Sequence, residues 1–200
     1  MKKLFTTLFA VLGFFTLAHA QQSKGVELGI GIGYNGASVS NDNNHSTKSK
    51  SGFNAAISVD NYFSDRWSLK AKAIYDQKGW AEGYLGEAKG IDFSLNYLTV
   101  PVMANWHFGK TRNWYLNFGP YVGFLLSADA SQFNGSLKQF FNSADGGLAY
   151  GIGVKLPVAD KTKFFIEFDG QNGVTDLFAE GASPYAIRSV RGAFNIGFNF

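Results

Sequence analysis

The 200-residue chain has no cysteine, which excludes disulfides, thiolate metal sites and a cysteine nucleophile. Histidine is scarce as well: His19, His45 and His107 stand far apart and offer no close ligand pair for a metal. Serines are plentiful, but none sits in the Gly-x-Ser-x-Gly elbow of a hydrolase. The tract 41–44, NDNN, lacks the spaced ligands and closing Glu of a calcium loop. Beyond residue 20 no apolar run approaches the ~20 residues of a spanning helix. No catalytic, cofactor or metal site is therefore expected.

One stretch points the other way at first sight. Residues 31–36, GIGYNG, satisfy the G-x-G-x-x-G pattern that holds dinucleotide phosphates at a helix N-terminus. That pattern needs a helix opening after it. The next residues form a polar tract, ASVSNDNN, and the preceding ones an alternation of Val26, Leu28, Ile30, Ile32 and Tyr34. The stretch therefore reads as strand, not phosphate loop.

Residues 1–20 have the layout of a cleaved export signal. Lys2 and Lys3 come first, an apolar run extends from Leu4 to Leu17, and Ala18, His19 and Ala20 form a small-x-small cleavage site. The mature chain is then 21–200, a single domain. With Lys2 and Lys3 gone, 16 basic side chains face 15 acidic ones, a net charge of +1. So near-neutral a chain has no electrostatic footprint for nucleic acid.

What is abundant is aromatic and small: 20 Phe, 9 Tyr, 4 Trp and 24 Gly. Eight segments alternate with period two, at 26–34, 53–59, 67–75, 95–108, 114–127, 148–156, 164–169 and 191–200. In the third, for example, Trp67, Leu69, Ala71, Ala73 and Tyr75 share one face against Ser68, Lys70, Lys72 and Asp76. None carries a helical period. The connections alternate in length: short around 63–66, 109–113 and 157–163, long and polar at 37–51, 79–92, 128–146 and 173–186. Short periplasmic turns and long extracellular loops belong to an all-β, eight-stranded, antiparallel up-and-down transmembrane β-barrel.

Charge placement agrees. Glu27, Asp60, Lys70, Lys72, Asp76, Lys155, Glu167, Asp169 and Arg191 all fall on the small and polar parity. A Lys or Arg facing lipid at mid-membrane costs ~2–4 kcal/mol, so these nine belong to a lumen. Asp92 and Arg188 fall on the outer parity, at loop junctions. An eight-stranded barrel is filled by its own side chains. Five acids and four bases enclosed there are expected to pair as a charge network that plugs the lumen. Lumen glycines at 29, 31, 33, 119, 123, 151, 153 and 197 make room for the long side chains, which accounts for GIGYNG. Glu167 and Asp169 have no His or nucleophile beside them in the sequence, so they are not read as a catalytic pair.

Trp67, Trp106 and Trp114 lie on the apolar parity beside the short turns, where a periplasmic aromatic belt sits, and Trp80 lies toward the opposite rim. The loop 128–146 carries Phe133, Leu137, Phe140 and Phe141. These are a candidate contact surface, or a lid over the barrel mouth.

At LNYLTVPVMANWHF and LNFGPYVGFLLSA the chain resembles the outer-membrane β-barrel domain family of Bacteroidetes, the PorT-like or porin-like family. The carrying features are Tyr97-Leu98-Thr99-Val100-Pro101, Gly119-Pro120-Tyr121-Val122-Gly123 and the YDQKG of 75–79. The resemblance spans the mature chain and implies a barrel in a Gram-negative outer membrane, without enzymatic activity. A terminal Phe200 closing an alternating strand is similar to the signal read by outer-membrane assembly machinery. The resemblance leaves open a narrow porin passing small solutes and an accessory role in protein secretion. Implied partners are outer-membrane lipid, the assembly machinery and an unidentified extracellular or secretion partner, with the chain a monomer.

Overall fold

A computed structural model describes residues 25–41, 47–85, 88–183 and 185–200; the expected export signal and His45 lie outside the described residues. Among these, eight antiparallel strands form a closed barrel: β1 (Val26–Asn41), β2 (Lys48–Tyr62), β3 (Trp67–Leu85), β4 (Ala88–Phe108), β5 (Trp114–Ala130), β6 (Ala144–Pro157), β7 (Lys163–Gly173) and β8 (Ile187–Asn199). Each strand pairs with its neighbours in sequence, and β8 returns to pair with β1. β1 runs unbroken through 31–36 to Asn41, so GIGYNG lies inside a strand and not at the opening of a helix.

The alternation sets the two faces. On β5, Tyr115, Asn117, Tyr121 and Gly123 are buried, while Trp114, Leu116, Phe118, Val122 and Phe124 are exposed. Ile32, Phe53 and Ile57 are each exposed by more than 60% on the outer wall. A continuous apolar surface of this kind aggregates in water and is stable only against hydrocarbon. At the short-turn end an aromatic strip crosses three strands. Trp67 pairs with Trp106, their rings 6.2 Å apart, and Phe108 lies 5.2 Å from Trp106 and 6.4 Å from Trp114.

The barrel closes where side chains vanish. Gly31 of β1 faces Gly197 of β8, and a Cβ added to Gly197 would meet the Gly31 Cα at 2.7 Å and the Phe165 ring at 2.6 Å. Only glycine allows that approach.

Three of the four connections at the long-loop end are shorter than the sequence suggests, while that between β7 and β8 keeps its expected length. Within 79–92, residues 79–85 belong to β3 and 88–92 to β4; β1 and β2 enter 37–51 from both sides, and β5 and β6 do the same at 128–146. Bulges hid this: register shifts occur between Trp80 and Gly83 and again before Tyr84, and Glu82 sits at φ 54°. Each bulge breaks period two.

A second reason is a reversal of polarity. Along β4, Tyr97 to His107 face in and Leu98 to Phe108 face out, on alternate residues. Above Tyr97 the inward residues are Leu95, Phe93 and Ile91, all buried, and the outward ones Asn96, Ser94 and Asp92. A strand needs only ~9–11 residues to cross a bilayer, and β4 has 21. Beyond the hydrocarbon the surroundings are water, so the upper barrel is apolar inside and polar outside like a soluble protein.

Candidate functional site

The lumen holds three groups of ion pairs stacked along its length. At the short-turn end Lys155 bridges Glu27 (2.7 Å) and Asp60 (2.9 Å), and Lys163 also pairs with Glu27. In the middle Glu167 accepts from Lys70 at 3.2 Å and from Lys72, which also lies 3.6 Å from Asp169. Higher up Arg191 spans Asp169 and Asp76, the latter at 3.2 Å. Lys78 and Asp145 form a separate pair at 3.5 Å.

Amides and phenols add further hydrogen bonds to the carboxylates. Asn105 donates to Asp60, Asn117 to Glu167, Asn35 to Asp76 and Asn195 to Asp169, all at 2.9–3.0 Å. Tyr121 donates to Asp145 at 3.0 Å. The Lys70 ammonium sits 4.6 Å from the Tyr115 ring centre, and Lys78 sits 4.9 Å from that of Tyr121. Beside Lys70, Lys72 and Glu167 the void is about 20 Å³, room for roughly one water. His107 is buried against Ser68 Oγ (3.3 Å) and Asn105 Nδ2 (3.2 Å). Among the described residues no three His, Asp or Glu side chains gather as a metal site.

The structure places all nine charges named from the sequence in the first two of these groups; Lys163 in the first, and the pair Lys78 and Asp145, were missed. Each shares the inward parity of its strand. Extending the third alternation past Tyr75 reaches Lys78, and starting the sixth and seventh earlier reaches Asp145 and Lys163. Asn35, Asn105, Asn117 and Asn195 share the inward parity too, but parity does not say which carboxylate each amide meets.

Over the network sits an apolar cover. Trp80, Phe93, Phe141, Leu177 and Phe178 are buried together with Ile91, Leu95, Tyr97 and Leu125. Trp80 stacks on Phe93 at 4.5 Å, and Phe141 on Phe178 at 4.8 Å. The loops after β5 and after β7 meet here: Phe141 and Phe178 form a β-bridge, and the Asn142 amide donates to the carbonyls of Asp176 (2.9 Å) and Phe178 (2.7 Å). The four apolar loop residues therefore divide. Phe141 is buried and Leu137 packs against the cover, whereas Phe133 and Phe140 stay exposed at 41% and 43%. A hollow of about 960 Å³ lies on the outer wall between Phe118, Tyr150, Phe168 and Phe194; it faces hydrocarbon.

An inside-out barrel wall, short turns at one end and a profile match over residues 19–179 to the outer membrane protein beta-barrel domain decide the identity. The chain belongs to the outer membrane protein beta-barrel domain family. As a member of this family it resides in the Gram-negative outer membrane, its apolar wall in the bilayer. Among solved structures it is similar to Neisserial surface protein A, with a TM-score of 0.56 at 14% identity, over 90% of this chain and 98% of that one. It is also similar to OprG from Pseudomonas aeruginosa, with a TM-score of 0.54 at 15% identity, over 89% and 96% of the two chains. At that identity the likeness is one of fold. A search of curated proteins finds no match.

Proposed function

We propose that the chain is a non-enzymatic outer-membrane barrel with a lumen closed to solutes and an extracellular end that serves contacts outside the cell. The observation that carries this reading is the stack of three buried ion-pair groups, six acids against six bases, between Glu27 and Asp145. Separating buried pairs leaves uncompensated charge at a cost of several kcal/mol each. A solute would have to displace them and the aromatic cover in series. Exposed Phe133 and Phe140 are the first candidate contact residues on the outside. The segments at 97–101 and 119–123 favour the PorT-like branch of the family, with a monomeric barrel; an accessory role in secretion has no residue of its own here.

A narrow pore is the second reading. It draws on lumen atoms without a protein partner among the described residues, including Asn54 Nδ2, Thr99 Oγ1, Asn117 Oδ1 and Asn195 Oδ1. Planar-bilayer recording separates the two. The wild-type barrel is expected to give no steady conductance. Phe141→Ala, which thins the cover, is expected to give none either, because the charges beneath it still fill the lumen. Steady wild-type channels that change with Lys70→Ala would overturn the closed-lumen reading in favour of the pore.

A further inference from the structure

The outer wall at the periplasmic end carries a feature that the lumen does not explain. The strip Trp67, Trp106, Phe108 and Trp114 covers the ends of β3, β4 and β5. Next to it lie the turns 63–66 and 109–113; the His107 N–H near the end of β4 donates to the Arg66 carbonyl at 2.7 Å, and Arg112 pairs with Asp65 across the two turns. Arg66, Lys110 and Arg112 are exposed on these turns, against one acid, Asp65. The third periplasmic turn, 158–162, balances Asp160 with Lys161. The positive excess is local to the aromatic corner.

Arg112 adds an independent mark. It holds φ at 57°, in the left-handed region that favours glycine. Keeping a long cationic side chain on a backbone that resists it is a sign of use. Its ion pair with Asp65, at 3.2 Å, leaves about half of each side chain exposed (46% and 49%). Such a pair is weak and open to exchange.

We propose that this corner binds an anionic phospholipid of the periplasmic leaflet. Its phosphate sits between Arg66, Lys110 and Arg112, and its chains lie along the Trp67–Trp106–Trp114 strip. Charge complementarity commits the occupant to this class. Tryptophan holds the level of the headgroups, and guanidinium groups clasp phosphate oxygens in pairs. Here both meet at one depth on one side of the barrel. The inference rests on the membrane location and goes beyond the closed-lumen reading.

The test is native mass spectrometry of the folded barrel released from nanodiscs of equal phosphatidylglycerol and phosphatidylcholine. Wild type is expected to retain phosphatidylglycerol with a preference on the order of ten-fold. R66Q/K110Q/R112Q is expected to fall to near parity, while R66K/R112K keeps most of the preference and K161Q all of it. Should the triple variant not fold, R66Q and R112Q singly are expected to lower the preference two- to three-fold each, on the order of one screened charge. Excess inorganic phosphate leaves the bound lipid in place. Equal retention by wild type overturns the proposal, as does an undiminished preference in the glutamine variants. Displacement of the lipid by inorganic phosphate would mean a free-phosphate site and overturn it as well.

Discussion

Glu167→Ala is expected to destabilise the barrel by about 3–5 kcal/mol, the loss incurred when one partner of a buried ion pair is removed. Glu167 is fully buried and receives Lys70 at 3.2 Å, Lys72, and the Asn117 amide at 3.0 Å. Without it Lys72 retains Asp169 at 3.6 Å, but Lys70 has no carboxylate in ion-pair range among the described residues. Against a typical total stability of ~5–15 kcal/mol this is a large fraction. Urea unfolding in lipid vesicles, followed by heat-dependent gel mobility, measures it. Glu167→Gln keeps hydrogen bonds without the charge and is expected to lose nearly as much. Glu167→Leu combined with Lys70→Met removes one charge of each sign, leaves the network balanced, and is expected to recover most of the loss. A Glu167→Ala barrel within ~0.5 kcal/mol of wild type, the ordinary spread of surface changes, would show the lysines solvated and the lumen wet.

Gly197→Val is expected to prevent closure of the barrel, or to cost more than ~3 kcal/mol where it closes, beyond the usual range for overpacking. The added carbons meet the Ile30 carbonyl and the Gly31 Cα, which are backbone of the facing strand and cannot rotate away. They would also split the β1–β8 seam that makes the sheet a cylinder. Gly192→Val is the matched control. It lies on the same strand facing outward, and a Cβ there meets nothing within 4 Å. That variant is expected to fold as wild type. Equal defects in the two would mean that loss of glycine itself, not the steric approach at the seam, is what matters.

Much of the wall was legible in the order of the residues alone. Lys70, Lys72 and Asp76 share a parity against Leu69, Ala71 and Tyr75, and the barrel puts the first set in the lumen and the second outside. Where the strand leaves the hydrocarbon, that legibility ends. Trp80 and Ile91 follow the inward parity but are apolar, so a rule of polar-in and apolar-out reads their neighbourhood as loop. Phe141 and Phe133 are chemically alike and eight residues apart; only the bridge to Phe178 buries one and leaves the other in water.

Which side of each strand meets lipid is written in the sequence, because contact with hydrocarbon selects residues one at a time with the period of the backbone. The strand number and the membrane address are written there too. Which acid meets which base is decided only in three dimensions. Glu27 and Lys155 are 128 residues apart in the chain, and their pairing depends on how strands are registered around a closed ring. No local pattern encodes that register, since every inward charge satisfies the same alternation whichever partner it finds.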